Sequence, residues 1–313
     1  PLGLPGKSFQ GDNFYTAENL GPEALITYYY NSSYQSLRNQ RQKKEKELIK
    51  AGFDTPFPSY IELKAEADQN KEELVFTIKD SSGKVVKKEF RAARKGVQRF
   101  HWNLRYTTQG PINLSKSSFY NPFAGSDEGT LVNPGMYTVE MALLKDGQLN
   151  SLTTPVTFEV KALNNVEMPA ENRAEKVAFQ KDLAKLQADM AIARNLWSDA
   201  NNKMRYIKAA IKRAEQPIGS IMTEVMAIEK ELEKVQLVMY GDPIKRRLDI
   251  AQPLSPASRL GSIGYEQKYS TATPTKTHSD NYAIAKDEIY IIKTKMEGIY
   301  NDDIKALEKK LIE

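Results

Sequence analysis

The chain has 313 residues, 27% of them charged and 40% hydrophobic. That is enough for two units that each bury a core, and it is the composition of a globular chain rather than a disordered one. Cysteine is absent, which excludes disulfides, thiolate metal sites and a cysteine nucleophile together. The net charge is +5, no run of about 18 apolar residues occurs, and a membrane-spanning helix is therefore not expected.

The chain opens Pro1-Leu-Gly-Leu-Pro-Gly-Lys7, without an initiator methionine or an apolar signal region, and reads as a piece of something longer. Residues 1–23, punctuated by Gly3, Pro5, Gly6, Gly11, Gly21 and Pro22, read as an extended lead-in. Ala24-Leu-Ile-Thr-Tyr-Tyr-Tyr30 is β-branched and aromatic, which predicts a strand. From about Tyr34 to Ala51 the pattern becomes that of a short charged helix inserted among strands, with Gly52 placed to end it. Glu73–Lys79 and Lys84–Phe90 flank the turn Asp80-Ser-Ser-Gly83 and predict a hairpin.

Two stretches then dominate. In Gly96–Tyr106, Phe100, Trp102 and Leu104 alternate with Arg99, His101 and Asn103; in Asn133–Leu143, Tyr137, Val139 and Met141 alternate with Thr138 and Glu140. Period two with an apolar row on one side predicts half-buried strands. A loop from Thr107 to Thr130 lies between them, and a last strand is expected over Thr154–Val160, beyond the turn Lys145-Asp-Gly147. The expected fold for 24–162 is an antiparallel Ig-like, fibronectin-III-like β-sandwich.

At about residue 165 the period lengthens to three and a half. Phe179, Leu183, Leu186, Met190, Ala193, Trp197, Ala200, Met204, Ile207 and Ile211 step by fours and threes, as do Ile221, Val225, Ile228, Leu232, Val235 and Met239. A third run holds Tyr282, Ala285, Ile289, Ile292, Met296, Ile299, Ile304, Leu307 and Leu311, with Ser279 or Asp280 as the expected cap. These seams predict an antiparallel three-helix bundle over 165–313, with Ser198-Asp199 and Asn201-Asn202 as a candidate kink and 242–279 as a long irregular loop. The whole chain is thus α+β and multidomain.

Chemistry is sparse. No glycine-rich phosphate loop, Gly-x-Ser-x-Gly elbow or separated acid/base pair stands out, so no catalytic residue is assigned and catalysis by this stretch alone is not expected. His101 and His278 are the only histidines and neither has a carboxylate-rich sequence neighbourhood, so no metal site or cofactor is assigned. Trp102 belongs with the strand's inner row, so core packing outweighs stacking on a ligand. Phe119, Tyr120 and Phe123 lie in the long loop, where binding residues gather, and are candidate ligand contacts. Between Lys84 and Arg105 eight basic residues face Glu89 alone. Lys87, Arg91 and Arg94 are candidate partner contacts for phosphate or anionic sugar, although lysine and arginine also guard strand edges. No helix-turn-helix or aromatic RNA platform accompanies them, so no specific nucleic-acid complex is expected.

Asp80-Ser-Ser-Gly-Lys-Val-Val86, Gly96…Trp102-Asn-Leu-Arg105 and Pro134-Gly-Met-Tyr-Thr-Val139 resemble the Ig-like domain of flagellar hook-capping and other bacterial surface proteins. Taken with Pro1–Gly6, Tyr28-Tyr-Tyr30, Phe57-Pro58, the helical tail and Ser270-Thr-Ala-Thr-Pro-Thr275, the order is similar to the C-terminal region of bacterial sortilin-like proteins. Those carry BNR/Asp-box β-propellers and are often labelled glycosyl hydrolases. No Asp-box run occurs in this chain, so no catalytic residue carries over. The resemblance implies a secreted or cell-envelope protein of a bacterium, with the propeller upstream as one partner and an envelope protein or glycan as another. It leaves two functions open: a non-catalytic accessory module, or the structural part of a hydrolase whose active site lies in the propeller.

Overall fold

The computed structural model describes residues 21–31, 34–112, 114, 128–163, 169–213 and 219–312, with the side chains of Tyr269 and Ile312 excepted. Two compact units divide the chain: strands and two short helices up to Thr107 and again from Leu131 to Ala162, and a helical unit that includes everything from Leu163. The strand unit holds antiparallel sheets that do not close on each other, and several packed helices follow.

In the strand unit β1 (Ala24–Tyr30) pairs with β4 (Gly96–Trp102), Ala24 opposite Trp102 and Tyr30 opposite Gly96. The larger sheet runs in the order β3 (Val85–Ala92), β2 (Glu73–Asp80), β5 (Gly135–Lys145), β6 (Gln148–Ser151), with β7 (Val156–Val160) also paired to β5. The two aromatic stretches that dominate the sequence therefore lie in different sheets and meet through their faces. Trp102 and Tyr137 have ring centroids 5.6 Å apart, Phe100 and Phe76 4.7 Å. Trp102 is 1% exposed, and its Nε1–H donates to the Arg105 carbonyl at 3.1 Å. Tyr137 Oη donates to the Asn133 carbonyl at 2.6 Å, and burial pushes its hydroxyl pKa up to about 12.

Local chemistry explains the hairpins. Asp146 and Gly147 take φ of 50° and 77°, both positive, as a two-residue type I′ turn requires, and Lys145 pairs with Gln148 across it. This turn begins β6, a strand not anticipated between the turn and Thr154. At Asp80 the side-chain Oδ1 accepts the backbone N–H groups of Ser82 and Lys84 at 3.0 and 3.1 Å, closing the β2–β3 turn.

Between β1 and β2 lies α1 (Leu37–Lys50), which ends through Gly52 at φ 79° with Phe53 N–H donating back to Leu48 O. A second helix, α2 (Tyr60–Asp68), was not anticipated, although Ser59 and Glu62 form a reciprocal capping box that the sequence spells out. Neither helix has a buried residue. The Arg41 guanidinium grips both oxygens of Glu66 and joins them.

In the helical unit α3 (Arg173–Ile211) runs as one unbroken helix through residues 198–202. It is followed by α4 (Gly219–Tyr240), the short α5 (Pro243–Arg247), α6 (Pro256–Tyr269) and α7 (Lys276–Gly298). The stretch 242–279 is thus not the irregular loop expected. Ser255 caps α6 ahead of Pro256, and Leu260 and Ile263 enter the same core as α3, α4 and α7. Thr275, rather than Ser279 or Asp280, caps α7.

After α7 the helix passes through a π segment, Ile299–Ile304, into α8 (Lys305–Ile312). The apolar seam shows why. Its steps are three or four except from Ile299 to Ile304, a step of five. One wider turn keeps Ile304 on the buried side, and both residues are at most 4% exposed.

Candidate functional site

The residues singled out in sequence do not assemble into one site. Phe119, Tyr120 and Phe123 lie outside the described residues. Lys87 and Arg91 fall with Glu89 on the partly buried side of β3, an edge strand. Glu89 lies 3.8 Å from Lys87 Nζ and 3.3 Å from Arg91 Nη2. The Arg91 guanidinium also sits 4.9 Å above the Phe100 ring, and its Nε is buried without a hydrogen-bond partner. Arg94 is exposed, its backbone N–H donating to Ala92 O. Two of the three candidate cations therefore lie against a carboxylate, and Arg91 also against an aromatic face. Charges on the partly buried side of an edge strand also disfavour pairing by another sheet.

Both histidines have a carboxylate partner that their sequence neighbourhoods did not show. His101 Nδ1 lies 2.9 Å from Glu23 Oε2, brought there by the β1–β4 pairing. His278 Nδ1 accepts the backbone N–H of Thr275 at 3.2 Å, so the ring proton sits on Nε2, which donates to Glu266 Oε2 at 2.6 Å. Hydrogen bonds from His278 and then from Ser262 hold the Glu266 carboxyl below its usual range. Ser262 bonds to Glu266 and not to the imidazole, so the group lacks the nucleophile–base geometry of a hydrolase. It pins the start of α7 to α6, beside a cleft of about 310 Å³. No group of three or more metal-ligating side chains occurs among the described residues.

The larger opening is a groove of about 520 Å³ along β1 in the strand unit, floored by Phe76, Val139, Met141 and Phe158. Its lining contains no Asp, Glu, Lys, Arg or His. Tyr28 turns inward over Phe76 with ring centroids 4.7 Å apart. Burial raises its hydroxyl pKa against the opposing pull of Arg91 and Arg94. Leu25, Tyr29 and Val156, 53%, 61% and 59% exposed, stand at the rim. The groove was not read from sequence, because it is made where two sheets fail to close. The one available signal was the absence of any charge in Ala24–Tyr30.

No family model, curated protein or solved structure matches this chain. No described helix is long and apolar enough to cross a membrane.

Proposed function

We propose that this chain is a non-catalytic accessory and interaction module of a larger secreted or cell-envelope β-propeller protein. In this reading the strand unit is an Ig-like sandwich, and the helical unit an antiparallel three-helix core of α3, α4 and α7 with α6 laid against it. The tie from Tyr137 Oη to the Asn133 carbonyl supports the first part, since a tyrosine bonded back to the backbone upstream marks many such sandwiches. The single observation that carries the function is the apolar groove along β1. It is an open, concave and uncharged surface of the size that holds a ligand or a partner's side chains. The upstream propeller and an envelope protein or glycan are the proposed partners, and the ordered sequence motifs carry that part of the proposal.

The test is to present residues 1–313 with a panel of polysaccharides and peptides, measuring binding and turnover together. Saturable binding without product is the expected result. Turnover by this chain alone would refute the module reading.

A further inference from the structure

Among the described edge strands longer than four residues, β1 is the one without a charged side chain; β6 is uncharged too but only four residues long. Strand β1 hydrogen-bonds to β4 along one edge only, and none of its seven residues pairs with another strand among the described residues. The edge strand β3 carries Lys87, Glu89 and Arg91 turned inward, and β4 carries Arg99 and His101. By contrast β1 has no charge, no proline and no register shift. An uncharged edge of this length with no bulge is a template for another strand. Immediately beneath it runs the apolar groove, so the place where a neighbouring strand would lie is open on both counts: backbone groups beside it and space below it.

We infer that the free edge of β1 accepts an extended, uncharged peptide segment from a partner protein as an added strand, with that segment's alternate aliphatic side chains seated in the groove. The inference rests on the module reading and names its partner. Seven residues of β1 span about 23 Å, and over that length every second side chain of an incoming strand points down. The floor of Phe76, Val139, Met141 and Phe158 offers such side chains apolar contact only. A charged side chain pointing down would lose its water and find no ionic partner in the lining, so the segment must be neutral at its inward positions. Backbone hydrogen bonds supply affinity and the alternating side chains supply selectivity, as in other strand-addition interfaces. A second copy of this chain fits less well. Its own β1 turns Ile26 and Tyr28 into its own core, so those side chains cannot fill the groove of its neighbour.

The experiment uses residues 1–313 and a capped seven-residue peptide of alternating threonine and valine, with a control in which lysine replaces every valine. Hydrogen exchange is read at Ala24–Tyr30, and affinity by fluorescence anisotropy of the labelled peptide. In the free chain the outward amides of β1 should exchange without protection. The peptide should slow them, the lysine control should bind at least about tenfold more weakly, and Val156→Glu should weaken binding by about tenfold or more. Val156 is 59% exposed, and an unchanged Trp102 fluorescence, read in a Trp197→Phe background, checks that the variant stays folded. Leu25→Glu, at a second exposed rim position, is the independent variant. Outward amides already protected in the free chain would overturn the inference, whether by residues 1–20 or, if concentration-dependent, by a second copy. So would binding indifferent to both rim variants, or a displayed library of alternating neutral peptides from which no member slows β1 exchange. Binding elsewhere on the chain with β1 exchange unchanged would defeat this inference and leave the module reading standing. Turnover would defeat the module reading whatever happens at β1.

Discussion

Replacing Trp102 with alanine tests the packing of the strand unit most directly. The indole is 1% exposed, faces Tyr137 and Phe158 with ring centroids at 5.6 and 6.1 Å, and donates its N–H to the Arg105 carbonyl. Burying a tryptophan removes roughly 200 Å² from water, worth about 5 kcal/mol at the usual area coefficient and less against a compact unfolded chain. The hydrogen bond adds about 1 kcal/mol, and alanine retains a small part of the contact. The expected loss is about 3–5 kcal/mol, a large share of the stability of a typical domain. Trp102→Phe keeps most of the ring and should lose about half as much. The assay is urea denaturation followed in two channels. The chain has two tryptophans, and Trp197 belongs to the core of the helical unit, its Nε1–H donating to Leu232 O at 2.9 Å. In Trp102→Ala the remaining fluorescence reports the helical unit, while β-sheet circular dichroism reports the other. The sheet transition should move to lower urea and the Trp197 transition should stay. A sheet transition shifted by less than about 1 kcal/mol would refute the packing argument.

Four further outcomes are expected. Deleting Asn301, exposed in the π segment, turns the five-residue step between Ile299 and Ile304 into four, and calorimetry should show a loss within about 1 kcal/mol. Deleting the equally exposed Thr294 breaks the regular step from Ile292 to Met296 and should cost several kcal/mol; equal costs would contradict the account of the π segment. Gly261→Ala should stabilise α6 by about 1 kcal/mol, because an added methyl there meets open space; at Gly264 the methyl would displace the tip of the Gln187 side chain, and the gain in thermal midpoint should be smaller. Gly147→Ala has room but must hold φ at 77°, so a loss of about 1 kcal/mol is expected in denaturant titration. Glu231, bonded to Lys234 and then Lys295, has its folded pKa drawn down from 4.5 to about 2. Its contribution is present above the unfolded value and is lost as pH falls from about 4.5 to about 2. Glu231→Gln should flatten the stability–pH curve of the chain in that window, and an unchanged slope would remove this pair from the account.

Local pattern carried most of the secondary structure. The bounds of β1 follow from its β-branched and aromatic composition, and the buried row of α4 from Ile221 to Met239 and the burial of Trp102 from periodicity, because a side chain's period along the chain decides which face it shares. Some features were present in the sequence as weak local signals: the Ser59–Glu62 box that starts α2, the Asp146-Gly147 turn that starts β6, and the five-residue step that makes the π segment. Others have no local signature. Whether β4 pairs with β1 or β5 depends on non-local hydrogen bonds, and so does the meeting of His278 with Glu266 across two helices. The groove along β1 is the clearest case. Sequence shows that Ala24–Tyr30 is uncharged, but an open edge above an apolar floor exists only once two sheets have packed without closing, and that is decided by the tertiary contacts of Phe76, Val139, Met141 and Phe158.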